Sequence, residues 1–355
     1  MSTHFLRPLL FLFACFSLIS GLQAAIPAIS AGDSHSLFLK SNGSVWAAGK
    51  NTDGQLGDGM NGNRSTPVQV MTDVQAISAG NAHSLFLKSD GTVWACGANN
   101  NGQLGDGTST SRNTPVQILS LSGVQAISAG YRFSLFLKTD GTVWACGSNS
   151  NGQYGNGGLS SSSTPVQVMT GVQAIAAGGG ENGCHALFLK TTGSVWGSGE
   201  NSSGQLGDSS NSDRITAVQV SGMTSGVTAI AAGEAHSLFL KSDGSVWASG
   251  DNSSGQYGTG NITASNVPVQ VQTGIQAIDA AYRYSLFVKT DGSARACGYN
   301  QTYQLGDNSN MTRQTPVQPT GMSSGMYAVS GGGSISGSHS LFLKIDGSVW
   351  ACGAG

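Results

Sequence analysis

A Leu-Phe-Leu/Val-Lys motif recurs seven times, with its leucine at positions 37, 85, 135, 187, 238, 286 and 341. A period of about 50 residues sustained along a chain means a repeat architecture, a propeller or solenoid whose units bury apolar surface only against their neighbours. Each unit has the same order of segments, written in the second as "VQAISAG", "HSLFLK", an Asp-Gly pair, "TVWACG", "NNNGQLGDG" and "TPVQI". These apolar segments are short, β-branched and aromatic, punctuated by Gly, Asn and Asp, and show no helical period. Seven units of about four strands predict an all-β, seven-bladed β-propeller of four-stranded antiparallel blades, one blade incomplete.

The Asp90–Gly91 pair and its six counterparts predict two-residue type I′ hairpins. That loop would set Leu87 against Trp94 and Leu85 against Cys96, with Phe86 and Ala95 on the opposite face. Prolines 67, 115, 165, 268 and 316 cannot donate to a ladder, which puts "PVQV" on an edge. Phasing each blade from "PVQV" to "WACG" leaves the least structure unpaired, so that phasing is the expected one.

Only 10% of residues are charged and the net charge is -2. No basic stripe exists to neutralise phosphates, which excludes nucleic acid as a partner. At the N-terminus His4 and Arg7 precede an apolar run from Leu9 to Ile19, and a small residue follows at Ala24. This reads as a signal peptide over residues 1–24, cleaved near Ala24, with the propeller over 25–355 secreted, periplasmic or at the cell surface and without a membrane span. Cys96, Cys146, Cys297 and Cys352 share one slot in separate units, too far apart for bridges, and read as free buried thiols; Cys15 lies in the leader.

"ISAGNAHSLFL" (Ile77 to Leu87) with "VWACGANNNGQLG" (Val93 to Gly105) resembles the repeat of the regulator of chromosome condensation family, over essentially all of residues 25–355. The resemblance implies a seven-bladed propeller. It also looks like secreted bacterial members, among them a β-lactamase inhibitor protein that binds its enzyme with one face. Founding members exchange guanine nucleotide on a small GTPase through residues that cannot be placed on this near-regular repeat.

His35, His83, His185, His236 and His339 hold one slot that Phe133 and Tyr284 fill elsewhere. A position that accepts aromatics is scaffold, and successive strand residues point apart, so His83–Ser84 is no nucleophile pair. The histidines lie a blade apart and do not form a zinc site; Asp53 and Asp58 lack the glutamate that completes a calcium loop. The seven hairpin lysines read as solvated ends that discourage edge pairing. No catalytic residue, metal or cofactor is expected, and the chain reads as a non-enzymatic monomer.

The departures are informative. Two residues between "AG" and the histidine slot vary, and symmetry places these segments on one face. They give the candidate binding residues Asp33, Asn81, Tyr131, Arg132, Glu181, Asn182, Glu234, Tyr282 and Arg283, where Tyr and Arg suit a protein interface. The expected partner is a protein, such as an extracellular or periplasmic enzyme, ahead of a glycan. An adhesion module of a larger surface protein is the alternative function, and nucleotide exchange the third. Unit six departs most, with Asp279, Ala281, Tyr284, Arg295 and Tyr303; it reads either as drift held by an Asp279–Arg295 pair or as a recognition centre.

Overall fold

A computed structural model describes residues 25–334 and 336–354. The leader with Cys15, and Gly355, lie outside the described residues. Among these, no helix is long and apolar enough to cross a membrane. The chain forms seven antiparallel sheets arranged as a propeller, six of four strands and the seventh of three. The first blade runs Ala28–Ala31, His35–Leu39, Val45–Gly49 and Arg64–Met71 from the axis outward. "PVQV" therefore closes the blade of its own unit, which corrects the expected phasing. The loop after the third strand returns the fourth antiparallel to it, as when Ala145 faces Val166. The seventh blade, Met326–Ser334, Gly337–Lys344 and Val349–Gly353, has no outer strand among the described residues. The prolines of the other blades sit on outer edge strands, as expected.

The hairpins differ from the expected form by one residue. Lys88 N–H donates to Thr92 O at 2.9 Å and Gly91 N–H to Lys88 O at 3.0 Å, so the loop is Ser89-Asp90-Gly91. Only Gly91, at φ 79°, needs the left-handed region; Asp90 uses its carboxylate to accept from Thr92 N–H. This is the three-residue loop with a left-handed glycine at its end. The extra residue shifts the register: Leu87 faces Val93, Phe86 faces Trp94 and Leu85 faces Ala95.

Each seam takes the Leu/Val/Ala face of one blade and the phenylalanine face of the next. Leu85, Leu87, Val93 and Ala95 thus pack with Phe136 and Cys146. The thiols of Cys96, Cys146, Cys297 and Cys352 donate to the preceding unit's glutamine carbonyl, as Cys96 does to Gln55 O at 3.4 Å. Ser249 makes the same bond to Gln205 O, which explains why Cys and Ser exchange in this slot. All five described cysteines are free. The seam from blade seven to blade one is joined by Ala31 N–H to Ser330 Oγ at 3.0 Å and by Ser36 Oγ to His339 Nε2 at 2.9 Å. Phe38 there is half-buried, whereas the six other seam phenylalanines are buried.

The lysines do more than sit in solvent. Six of them place Nζ over the tryptophan of the following strand, from 4.3 Å for Lys40 over Trp46 to 6.0 Å for Lys190 over Trp196, within cation–π range. In unit six the tryptophan is Arg295, and Lys289 turns to Asp291 at 3.2 Å.

Candidate functional site

The inner strands leave an axial channel of about 300 Å³. Its wall is stitched from blade to blade. Ser30, Ser78 and Ser128 each accept the backbone N–H of the next blade, from Ala79, Ala129 and Ala177, at 2.9–3.0 Å. Asp279 holds the same slot, its Oδ2 accepting from Gly331 N–H at 2.7 Å. The expected Asp279–Arg295 pair does not form: Arg295 lies on the third strand and donates to Ala294 O and Gln318 Oε1. The two side chains belong to strands with another between them, and Asp279 points to the channel. Burial pushes the Asp279 carboxyl up to about 7.

A second ring runs through the histidine slot. Ser84 Oγ donates to Gln55 O at 2.7 Å, so it accepts from His35 Nε2, 2.9 Å away in the preceding blade. His83 meets Ser134 at 3.0 Å, His185 meets Ser237 at 3.1 Å and His236 meets Ser285 at 3.0 Å. Ser134 Oγ likewise donates to Gln103 O, so His35 and His83 are the neutral Nε2–H form, and burial lowers the ring titration to about 3 for His35 and about 4 for His83. Where the slot is Phe133, which cannot donate, the facing position is Ala186 in place of serine, and both join one apolar cluster. Tyr284 instead brings its hydroxyl to 3.1 Å from Ser340 Oγ. The ring joins blade to blade through Nε2, while Nδ1 of His35, His83, His185 and His236 is buried without a hydrogen-bond partner.

The "NTDGQLGDG" loops are closed in the same self-sufficient way. Asn51 accepts from Leu56 N–H and donates to Met60 O, and Asp58 is held by Arg64 at 2.7 Å. That carboxylate has its counter-charge already.

At one mouth of the channel the variable segments come together. The Arg132 guanidinium lies 5.0 Å over the Tyr131 ring, and Arg283 lies 5.0 Å over Tyr282. Arg283 also donates from Nε to Glu234 Oε2 at 3.1 Å. Tyr282 is buried and meets Tyr299 edge-on at 6.1 Å. Burial raises the Tyr131 titration, and the nearby Glu181 and Asp33 carboxylates add to this. Arg132, Glu181 and Asn182 are exposed, while Asp33, Asn81, Tyr131, Glu234 and Arg283 are half-buried. Asn81 stands apart from the charged cluster, engaged through its backbone N–H to Gly130 O.

A second hollow of about 290 Å³ opens beside the mouth, bounded by Asn182, Glu200, Glu234, Asp251 and Arg283. Glu200, Asp251 and Tyr299 were not anticipated from sequence. All three occupy the position just after the third-strand glycine, whose N–H bonds the loop before the histidine slot: Glu200 N–H to Cys184 O, Asp251 N–H to Ala235 O, Tyr299 N–H to Arg283 O. That position varies from unit to unit just as the loop does, and this variation was the available signal. Burial raises the Glu200 and Glu234 carboxyls.

A model of the regulator of chromosome condensation (RCC1) repeat matches residues 42–87, 90–137, 140–184 and 192–240, and a second model of the same repeat matches 28–55, 74–103, 124–153 and 227–256. Human Protein RCC2 is 37% identical over 106 residues, 29% of this chain and 20% of its own length; a Xenopus laevis homologue is 36% identical over the same shares. The matched segment thus spans about a fifth of these relatives. Human WBSCR16 superimposes with a TM-score of 0.78 at 22% identity, covering 90% of this chain and 87% of its own. Prp20p from Saccharomyces cerevisiae, described with its binding to Gsp1p and histones, gives 0.76 at 21%, covering 92% and 81%. These identities speak for the fold alone.

Proposed function

We propose, from the premise that this chain belongs to the regulator of chromosome condensation (RCC1) repeat family, that it is an exported, non-enzymatic propeller whose channel mouth grips a protein partner. The observation that carries this reading is the convergence at that mouth of residues the scaffold leaves free. Among them Arg132 over Tyr131 presents a cation and an aromatic ring with no ion pair among the described residues. Tyr and Arg dominate the few contacts that carry interface energy. The propeller ring is rigid, so little ordering entropy opposes binding. Export rests on the Arg7, Leu9–Ile19 and Ala24 pattern, and an extracellular or periplasmic enzyme is the partner in keeping with it. Prp20p, with Gsp1p and histones as ligands, is in keeping with a protein partner.

The test is capture from extracellular and periplasmic extracts by the parent chain and by Tyr131→Ala and Arg132→Ala chains. These positions are preferable to Tyr282, whose burial would confound binding with folding. Loss of about 2 kcal/mol, roughly thirtyfold in affinity, is expected at either position. Equal retrieval of the same partner by all three chains would place binding on another surface.

A further inference from the structure

Equivalent positions of the seven inner strands form one level of the axial channel. Ser30, Ser78, Ser128 and Ser330 hold four of them, each hydroxyl accepting a backbone N–H of the next blade at 2.9–3.0 Å. Ala176 and Ala231 hold two more, and the last is Asp279. The level is therefore two-sided, with four hydroxyls and one carboxyl round five blades and methyl groups from the other two. No Lys, Arg or His is among the described residues that line the channel, and its other carboxylates, Asp33 and Glu234, stand nearer the mouth. Glu234 is taken up by Arg283, whereas Asp33 Oδ1 is buried without a partner.

Asp279 exceeds what the slot requires. A serine takes up the neighbouring N–H without a charge, as in four other blades, and Asp279 does so through Oδ2. Burial raises the carboxyl to about 7, opposed by the Gly331 and Ala280 backbone groups and by no cationic side chain. Tyr284, packed beside Gly331, is kept neutral by its own burial. The ionised carboxylate thus costs stability at neutral pH that a serine would not, and a perturbed carboxyl set in a cavity is a mark of a binding site.

The missing counter-charge has a definable shape. With Oδ2 held by Gly331, one carboxylate oxygen remains, which suits the point charge of an ammonium better than the two-oxygen fork a guanidinium prefers. A divalent cation needs more anionic oxygens, and no group of three His, Cys, Asp or Glu among the described residues is placed to hold a metal ion. Ser330 Oγ, in the next blade, keeps a lone pair for a second ammonium proton after accepting from Ala31. Ala231 and Ala176 on the other side give an alkyl stem an apolar wall. A channel of about 300 Å³ admits a small ligand of this kind.

We propose that the channel binds a primary alkylammonium group, of a small amine or of a lysine side chain, with its charge on Asp279 and its stem against Ala231 and Ala176. The carboxyl lies three residues before Tyr282 of the mouth, roughly 10 Å down the channel. The site is therefore separate from the surface proposed for a protein partner and stands whether or not that reading holds.

Calorimetric titration of the full chain at pH 8 tests it with two probes: n-butylammonium stands for a free amine, and a tripeptide with a central lysine, blocked at both ends, for a side chain. n-Butanol is the neutral control. Saturable binding of an ammonium probe, at least about tenfold tighter than butanol, is expected, and whichever probe binds more tightly identifies the source. Asp279→Ser installs the residue of four other blades and should weaken that probe at least about tenfold. In the parent chain the affinity should fall about tenfold from pH 8 to pH 6, as the carboxyl takes up its proton while the amine stays charged. This second readout does not depend on how the variant folds. Undiminished binding by Asp279→Ser, equal affinity at the two pH values, or no saturable binding of either ammonium probe would overturn the proposal.

Discussion

The histidine–serine ring makes the propeller acid-sensitive in a way that can be dissected one seam at a time. His83 is fully buried and titrates near 4, against 6.5 for an open histidine. A lowered histidine pKa contributes stability that is complete above 6.5 and is lost as pH falls toward 4, because the unfolded chain binds the proton first. At pH 5 the unfolded ring is almost wholly protonated and the folded ring almost wholly neutral, a difference worth about 2 kcal/mol for this one residue. Phe133 opposite Ala186 supplies a ready replacement for His83 opposite Ser134. The double variant His83→Phe with Ser134→Ala is expected to lose about 1–2 kcal/mol at pH 8 through the deleted hydrogen bonds. Its further loss between pH 8 and pH 5 should be about 2 kcal/mol smaller than the parent's. Urea unfolding at both pH values measures this directly. A double variant that loses as much on acidification as the parent would refute a neutral, buried His83.

Asp279 should act in the opposite direction. Its raised carboxyl favours the protonated folded state, so its contribution falls as pH rises from about 4 to about 7; the residue is half-buried at the channel wall, which trims the effect to about 2 kcal/mol. Asp279→Asn should therefore match the parent near pH 4 and exceed it by about that amount at pH 8, and parallel melting-temperature profiles for the two chains would contradict this. Gly102→Ala puts a Cβ 2.5 Å from Ser163 Cα at φ 79°, for an expected loss of roughly 2–4 kcal/mol in urea unfolding. Tyr303→Gly, at φ 64°, should change stability by less than about 1 kcal/mol.

The ring and its seven units were legible because the period was, and strand order followed from segment order. Register was not. The choice between a two- and a three-residue loop rests on whether Asp90 takes a positive φ, and both loops accept Ser-Asp-Gly. The blade phasing was missed because "PVQV" lies nearer in sequence to the first strand of the next unit, Gln117 to Val124, than to the third strand of its own, Gly97 to Arg112, yet it pairs with the latter. At the mouth, the loops before the histidine slot were found as variable segments. Glu200 and Asp251 were not, since each looks like the end of a strand until the backbone bond to the neighbouring loop is seen.

Departures from a repeat carry two kinds of information, and the seams separate them. Phe133 is answered in the next unit by Ala186, and Asp279 still satisfies Gly331. Each of these contacts meets a change one period away, and so belongs to the scaffold. Arg283 is partly of this kind, because Glu234, one unit earlier, takes up its charge. Arg132 has no such counterpart. It is exposed, stacked on Tyr131 and joined to no carboxylate among the described residues, with Glu181 near the tyrosine. A cation held in place on an aromatic ring, yet left without a counter-ion among the described residues, gains the fold no more than about 0.5–1 kcal/mol, that of an exposed cation–π contact. Unit three, more than the much-altered unit six, is therefore where partner recognition should concentrate.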